Sequence, residues 1–526
     1  MNESKCVLRH SGLARAEDTK TVQAHGFEVP AGAAALSLGF DYAPRVAERS
    51  TLGAAQVKTA FERHVSNRQA ALDQGARDRL WRALDLEARV ERLDNLLNVV
   101  LVDPDGRWRG RWDRNPASDA GPLVLGREVA SPGFMPGSIQ PGAWTAVIEC
   151  HGVFGSPVSY LLEVTAHGEL GPTEVARLQA TWPKAGLASA AGDQVVPDAV
   201  AESRWYLGEL HSHTLHSDGK HDLATLAAKV KALGGDFLAL TDHNTMAGHI
   251  APGELPVVLL AGCELTTFNG HHPIYWPPGA DTELVPWHAQ GRVRSLAEIA
   301  PAVRQRGGLV GVAHPFSIGD PICTGCRAPA DLDPTSFDLL EVWYKQWDHA
   351  GGDNRASRAL WDRLWQAGHR VTAVAARDWH GREQDGSFPG LLPLTAVRAS
   401  ERSAGAIFDG LRNGAVVMTG GPLLDLVLDA DRGQRASIGQ CLRSTNAPRL
   451  VVEVERLDGP SDLRILRAGE PIFEQRVERD GQLELPLLVD RPGWYRAELW
   501  RQERPRAITN HVVWETCPEV VTTRDS

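Results

Sequence analysis

The sequence gathers metal-binding residue types into one stretch of the chain. Of its 19 histidines, 13 lie between positions 201 and 400, well above an even spread over 526 residues. Imidazole and carboxylate side chains together are typical ligands of zinc, manganese or iron, so this stretch predicts metal chemistry. Nine residues have the types and spacing of candidate ligands: His211, His213, Asp218, His243, Glu264, His271, His314, Asp378 and His380.

Each candidate ligand lies at or just beyond the end of a predicted strand. His211 and His213 close a strand over 205–211, and because alternate residues of a strand share a face, both are predicted to point to one metal. Asp378 and His380 repeat that spacing. Loops at the carboxyl ends of strands are where open α/β sheets and barrels build their sites. Nine ligands exceed the needs of one ion, so we predict two or three divalent ions, either Zn, Mn or Fe.

The elements predicted around these residues place them on one sheet. Strands from 205–211 to 370–375 alternate with amphipathic helices such as 222–233, and repeated βα units favour a mostly parallel sheet or barrel. We therefore expect a multi-domain protein with α/β and all-β parts. The predicted parts are a β-sandwich over 1–185 with a helical insertion near 54–96, a linker over 186–203, a metal domain over 204–420 and a small C-terminal β domain over 421–526.

The order of the motifs resembles that of the PHP (polymerase and histidinol phosphatase) metal-dependent hydrolases. His-x-His, Ser-Asp-Gly, Thr-Asp-His-Asn, Glu, His, Ala-His-Pro and Asp-x-His follow one another through residues 205–381. Within that superfamily the chain resembles the CehA/McbA branch of carbaryl-hydrolase-type enzymes. The matching stretches are 130–137, 141–144 and 262–266, the last leading to Gly270-His271. The resemblance implies a distorted (β/α)7 barrel with a trinuclear metal site.

The same resemblance assigns the ligands to three ions. The three sets are His211, His213, Glu264 and Asp378; Glu264, as a bridge, with His271 and His314; and Asp218, His243 and His380. His271, and not the adjacent His272, is taken as the ligand because Gly270 precedes it.

These features predict a metal-dependent hydrolase in which a metal-bridging hydroxide attacks a phosphorus or carbonyl centre. Glu264 and Asp378 would act as ligands, and the basic candidates for contact with a phosphate are Lys345 and Arg377. Glu341 and Tyr344, which end the predicted strand before Lys345, are further candidates for the pocket.

Three functions are compatible with this set of residues. We expect a phosphoesterase. The first alternative is a carboxylic or carbamic ester hydrolase, since Trp276, Trp343 and Trp379 flank ligand motifs and would suit an aryl group. The second alternative is a non-catalytic metal or ligand sensor, against which the intact ligand set argues.

The composition limits the partners. A net charge of −11 argues against a general nucleic-acid binder, which needs a basic face. No run reaches the roughly 18–20 apolar residues that span a bilayer, and the N-terminus lacks an apolar segment of signal-peptide length. We therefore expect a cytoplasmic protein with a small-molecule ester or phosphoester substrate and no nucleic-acid or membrane partner; no oligomeric state is predicted. For Cys323 and Cys326, loop packing is favoured over a disulfide or a further metal site.

Overall fold

A computed structural model describes residues 4–49, 51–68, 72–113, 121–171, 173, 176, 203–250, 253–289, 291–381, 393–430, 433–488 and 491–516. The predicted linker over 186–203 lies outside these residues except for its last position. The described chain is a mixed α/β protein with many strands and few helices. None of its described helices combines the length and the apolar character needed to cross a membrane.

Two four-stranded antiparallel sheets and one separate two-stranded pair form the N-terminal region. Its strands are β1 (Lys5–Ala14), β2 (Thr21–Val29), β3 (Ala35–Ala43), β4 (Val46–Glu48), β5 (Arg92–Asp94), β6 (Leu96–Val102), β7 (Trp108–Trp112), β8 (Leu123–Gly126), β9 (Gly142–Gly152) and β10 (Val158–His167). One sheet has the order β1-β10-β3-β8 and the other β2-β9-β6-β7. Alternate apolar residues point inward, so Leu36 and Leu38 of β3 share a core with Val99 and Leu101 of β6.

Three helices between β4 and β5 form the predicted helical insertion. They are α1 (Thr51–Ser66), α2 (Gln74–Ala83) and α3 (Leu86–Glu91), and the predicted helical stretch ends instead in β5 and the start of β6. Val57, Phe61 and Leu86 form a small core that also contains Ile318, which lies far along the chain. The insertion therefore packs against a loop of the metal region.

The metal region contains strands β11 (Arg204–Glu209), β12 (Phe237–Leu240), β13 (Val258–Thr266), β14 (His271–Trp276), β15 (His288–Ala289), β16 (Arg292–Val293), β17 (Leu309–Val312), β18 (Leu339–Tyr344), β19 (Thr372–Ala376), β20 (Leu394–Ala399) and β21 (Val416–Thr419). Its helices are α4 (Leu223–Ala232), α5 (Leu296–Gln305), α6 (Asn354–Gln366) and α7 (Ala404–Arg412). Asp222 caps α4 by accepting a hydrogen bond from Thr225 N at 2.7 Å.

The main sheet of this region is not the expected (β/α)7 repeat. Its order is β19-β18-β17-β14-β13-β12-β11-β20-β21, and β14, β20 and β21 run antiparallel to their neighbours. A parallel pair needs a long crossover, whereas the segment 267–270 between β13 and β14 is long enough only for a hairpin. The parallel groups β11–β13 and β17–β19 are therefore joined through an antiparallel strand.

The C-terminal strands continue the same sheet. They are β22 (Leu423–Ala430), β23 (Gln434–Ser437), β24 (Cys441–Arg443), β25 (Arg449–Glu455), β26 (Ser461–Arg467), β27 (Glu470–Val477), β28 (Gly481–Leu488), β29 (Gly493–Arg501), β30 (Arg504–Thr509) and β31 (Val512–Glu515). β30 pairs with both β21 and β29, while β23-β22-β25-β28 form a second sheet over a shared apolar core. The proposed division at 420/421 stays a prediction.

A buried group of charges connects α6 to the C-terminal strands. Arg496 of β29 has no exposed surface and pairs with Asp362 of α6 and, at 2.7 Å, with Glu498. Arg358, also on α6, lies 2.9 Å from the other oxygen of Glu498. Two guanidiniums thus face two carboxylates, and each buried charge has an opposite charge beside it.

Replacing Arg496 with methionine should lower the free energy of unfolding by about 3–5 kcal/mol, because the carboxylate of Asp362 would lose its buried partner. The urea midpoint of tryptophan fluorescence measures the loss. Arg476→Met is the matched control, since it breaks an exposed pair with Asp462 and should cost about 1 kcal/mol or less. Equal losses in the two variants would contradict the structural role of Arg496.

Candidate metal centre

The nine candidate ligands converge at one edge of the main sheet. They lie at or after strand ends as follows: His211, His213 and Asp218 after β11, His243 after β12, Glu264 and His271 in β13 and β14, His314 after β17, and Asp378 and His380 after β19. Short parallel bridges between Ser212 and Trp379, and between His243 and Glu264, bring neighbouring strand ends together.

Glu264 occupies the centre of this cluster. Its side chain is fully buried, and its two carboxylate oxygens face nitrogens of five imidazoles. The shortest contacts join Oε2 to His243 Nδ1 at 2.8 Å and Oε1 to His211 Nε2 at 3.0 Å. The other three partners are His271 Nδ1 at 3.3 Å, His314 Nε2 at 3.5 Å and His213 Nε2 at 3.7 Å.

The cluster extends from this centre toward solvent. Asp378 Oδ1 lies 3.0 Å from His213 Nε2 and 3.4 Å from His380 Nδ1. Asp218 Oδ1 lies 3.1 Å from His380 Nε2 and 3.5 Å from His243 Nε2. The side chain of Asp218 is 42% exposed, although its Oδ1 is buried, so this is the more exposed end of the cluster.

The spacing of the donor atoms fits divalent metal ions. Two ligands about 2.1 Å from one ion, at octahedral or tetrahedral angles, lie roughly 3.0–3.4 Å apart, as most of the contacts above do. The Nε2 atoms of His211 and His213 are 3.1 Å apart. Among the described residues, no hydrogen bond of good geometry reaches either buried oxygen of Glu264. Buried carboxylate oxygens that face imidazole nitrogens are the donor set of a divalent-ion site.

The candidate ligands form four groups, and within each group all ligand atoms lie within 4.8 Å of one another. The groups are His213, Asp218, His243 and His380; His211, His213 and Asp378; His211, Glu264 and His314; and His243, Glu264 and His271. They overlap the three sets implied by the resemblance but place His271 and His314 in separate groups, each with Glu264. The number and identity of the ions stay predictions.

Two adjacent histidines of β14 differ in direction. His271 faces Glu264, whereas His272 lines a separate cavity beside the start of α5. Successive residues of a strand point to opposite faces, so only one of the two can join the cluster.

The charges of the cluster act on one another. Burial alone would raise the pKa of Glu264, but the imidazoles of His211, His271 and His243 hold it well below its usual value. Burial would lower the pKa of His211, yet the carboxylates around it, Glu264 foremost, hold it well above its usual value. For His213, burial and two neighbouring imidazoles lower the pKa to about 4. The protein alone therefore balances ionised carboxylates with protonated imidazoles, whose protons metal ions would replace.

Metal binding should release protons, because imidazole must be unprotonated to act as a ligand. Burial would lower the pKa of His380, but Asp218 and Asp378 raise it to about 9, so this ring is protonated at neutral pH. From about pH 8 to 6, the apparent affinity for Zn²⁺ or Mn²⁺ should fall about tenfold per pH unit for each proton displaced. Calorimetry in buffers of different ionisation enthalpy counts these protons. His380→Asn should release fewer, and an affinity independent of pH would contradict the assignment.

Two carboxylates outside the cluster orient its ligands. Glu341 of β18 lies 2.6 Å from His211 Nδ1 and accepts a hydrogen bond from His314 N at 2.8 Å. A carboxylate at Nδ1 fixes the tautomer and leaves Nε2 free for a metal. Glu209, which the sequence analysis missed, accepts from the backbone N of His211 and of Arg377, and its burial raises its pKa to about 7. Its place two residues before His211 was the only signal.

Glu341→Gln should weaken metal binding about 10–100-fold, because an amide holds the His211 tautomer less firmly than a carboxylate does. Metal content after dialysis against a graded chelator measures the change. Glu474→Gln, on the exposed strand β27, is the control and should bind metal as the unaltered protein does. Equal metal affinity in both variants would contradict the role of Glu341 in orienting His211.

The two basic candidates lie on different sides of Asp378. Lys345 Nζ is 3.4 Å from Asp378 Oδ2, and the Tyr344 hydroxyl donates to the same oxygen at 3.0 Å. Arg377 instead points to the other side, where its Nε is 3.4 Å from Glu209 Oε2. β19 ends at Ala376 and Asp378 has a φ of 51°, so the chain turns after the strand, with Asp378 in the cluster and Arg377 beside Glu209.

The three tryptophans that were expected to suit an aryl group do not line the metal cluster. Trp276, Trp343 and Trp379 are each 1% exposed and belong to hydrophobic cores. Nearness in sequence to a ligand motif does not show which way a side chain points, and Trp379, between Asp378 and His380, packs in a core.

The N-terminal sandwich packs onto the loops that carry the ligands. Gly133 N donates to His216 Nδ1 at 3.4 Å, and Gly133 O accepts from Thr245 Oγ1 at 3.1 Å. Gly133 has a φ of 79°, and a Cβ there would lie 2.9 Å from His216 O, so this approach requires glycine. Buried Glu149 of β9 lies 2.9 Å from His288 Nε2. The sandwich thus borders the metal cluster.

Cys323 and Cys326 form a disulfide in the loop after β17, contrary to the expectation of loop packing alone. The Cys326 carbonyl accepts a hydrogen bond from His314 Nδ1 at 3.0 Å. The Gly325 carbonyl accepts from Gly270 N, next to His271, at 2.9 Å. The disulfide loop therefore supports two of the candidate ligands.

No family model and no curated protein matches the chain. Its similar solved structures include a two-domain protein from Bacteroides vulgatus containing a predicted PHP-like metal-dependent phosphoesterase (14% identity, TM-score 0.34, covering 62% of this chain and 100% of that one). Another is an amidohydrolase from Chromobacterium violaceum with bound sulfate and no metal (13% identity, TM-score 0.24, covering 34% and 89%). At these values neither likeness assigns an activity to this chain.

Proposed function

We propose that this chain is a metal-dependent phosphoesterase of the PHP type that its motifs resemble. The observation that carries the proposal is the cluster itself, in which imidazoles and carboxylates from separate strand ends converge on the buried carboxylate of Glu264. A purely structural role does not account for so many coupled charges in one place, because burying them without bound cations is unfavourable.

The residues of the cluster have distinct tasks in this proposal. Glu264 and Asp378 would hold ions together with the histidines, while Glu341 orients His211 and Tyr344 orients Asp378. Divalent ions at such a site lower the pKa of water and polarise a phosphoryl oxygen. Lys345, partly exposed beside Asp378, would bind another oxygen of the phosphoryl group as it gains negative charge.

A phosphate ester suits the site better than an aryl carbamate. The three tryptophans that favoured an aryl group are buried in cores, whereas the side chain beside Asp378 of the cluster is the cation of Lys345. An ammonium group stabilises a dianion more than it does a neutral carbamate.

The protein loaded with Mn²⁺, Zn²⁺ or Fe²⁺ should hydrolyse p-nitrophenyl phosphate, and a chelator should abolish the activity. Glu264→Gln should lower kcat/KM at least about 100-fold. Lys345→Met should raise KM roughly 10–100-fold, since it removes a charge-assisted contact to the phosphate. Lys231→Met, on the exposed side of α4, is the matched control and should leave both constants unchanged.

Two results would contradict the proposal. One is metal-dependent turnover of 1-naphthyl N-methylcarbamate with none of the phosphate, which would establish the carbamate hydrolase instead. The other is full activity in a folded Glu264→Gln variant.

A further inference from the structure

Three arginines lie together where the helical insertion meets the loops after β17 and β18. They are Arg63 and Arg68 on or just after α1, and Arg327 after the disulfide. Within the described part of the chain, none of the three guanidiniums has a carboxylate within 4.0 Å; the nearby carboxylate of Asp320 pairs with Lys20 instead. No ion pair of the described residues within that distance therefore neutralises these charges, and the buried carboxylate of Asp353 acts on Arg327 only from farther away.

Neutral groups hold these arginines in place. Arg63 Nη2 donates to Ile318 O at 3.2 Å, and Arg327 Nη1 donates to Ser317 O at 3.0 Å. The Nε–H of Arg68 is buried and reaches no acceptor in the described chain. Arg63 Nη2 also donates to Asp320 O at 3.4 Å, and Arg68 Nη2 lies 3.3 Å from His64 Nε2. A guanidinium has five N–H donors, so further donors of Arg63 and Arg327 remain for a ligand.

The positive charge of the arginines lowers the pKa values of titratable groups beside them. Burial, and then Arg63, lower the pKa of Arg327 to about 10. Burial, and then Arg68, lower the pKa of His64 on α1 to about 4. Cations that destabilise one another in this way are stabilised by an anion that contacts several of them.

The arginine group borders the metal cluster. His64 Nε2 lies 2.9 Å from Ala350 O, in the loop whose His349 ring packs 5.6 Å from that of Tyr344. Tyr344 in turn contacts Asp378 of the cluster. On the other side, Arg327 directly follows Cys326, whose carbonyl holds His314. The arginine group is thus connected to the loops that carry Asp378 and His314.

We infer that Arg63, Arg68 and Arg327 form a second anion subsite, so that the substrate is a phosphate ester that carries another anionic group. This inference rests on the proposed function. The phosphate to be cleaved would lie at the metals, and a phosphate or carboxylate at the far end of the same molecule would contact the arginines. Guanidinium groups bind both anions through paired N–H donors, which explains arginine rather than lysine at these positions.

A series of six-carbon substrates tests the inference. Hexanediol bisphosphate, phosphohexanoate and hexyl phosphate each carry a cleavable phosphate at one end of a six-carbon chain and differ at the other end. The bisphosphate has two equivalent cleavable ends, which changes KM at most about twofold. We expect a KM at least tenfold lower for a substrate with an anionic far end than for hexyl phosphate. Comparison of the KM values for the bisphosphate and for phosphohexanoate shows whether a phosphate or a carboxylate is preferred at the far end. Equal KM values for all three would overturn the inference.

Substitutions of the arginines test whether they cause the lower KM. In the Arg68→Met/Arg327→Met double variant, the KM advantage of the anionic far end should shrink to less than twofold. Arg82→Met on α2, which removes an exposed arginine from the same insertion, should keep the full advantage. Loss of the advantage in both variants would assign it to net charge and overturn the subsite.

A binding measurement separates this inference from the proposed function. Calorimetry of chelator-treated protein with inorganic phosphate should show one site that weakens with added salt and is lost in the double variant. Such binding without hydrolysis of any phosphate ester would support the subsite and contradict the phosphoesterase. Metal-dependent hydrolysis with neither phosphate binding nor an effect of the double variant would support the phosphoesterase and overturn the subsite.

Discussion

The buried carboxylate of Glu264, facing five imidazoles, is the constraint on which the rest of the structure depends. A fully buried negative charge is costly unless cations or strong donors surround it. Here the imidazoles lie in β14 or follow β11, β12 and β17, while Glu264 lies in β13, so the strand ends must meet within a few ångströms. Glu341 and Glu209 then fix the orientation of these groups from behind. The fold of the metal region is thus inseparable from the charge at its centre.

The flanking regions complete this centre in different ways. The N-terminal sandwich approaches the ligand loops through Gly133 and Glu149, and its helical insertion contacts the loops that follow β17 and β18. The C-terminal strands act from the other end of the sheet, where β30 pairs with β21 and Arg496 pairs with α6. Two regions that read as separate β domains in the sequence therefore border the site on one side and extend its supporting sheet on the other.

The sequence predicts the cluster better than it predicts the sheet. Ligands at alternate positions beyond apolar strands identify the cluster residues, because the period of a strand fixes which residues share a face. The same period does not say which face is the core, so it did not predict that the three tryptophans pack in cores or that Arg377 lies beside Glu209. The antiparallel turn into β14 and the insertion of β30 depend on contacts between distant segments, which local patterns do not contain. The pairing of Glu341 with His211 is likewise a long-range contact.

Charge balance links the cluster to its surroundings. Three carboxylates of the cluster are ionised, and in the protein alone protonated His211, His243 and His380 offset them. Divalent ions that displace these protons bring more positive charge than the protons carried, which leaves the exposed end of the site positive toward an incoming anion. Lys345 and the unpaired arginines then act in the same direction as the metals and not against them. Under the proposed function, an anionic substrate would gain more from this arrangement than a neutral one would.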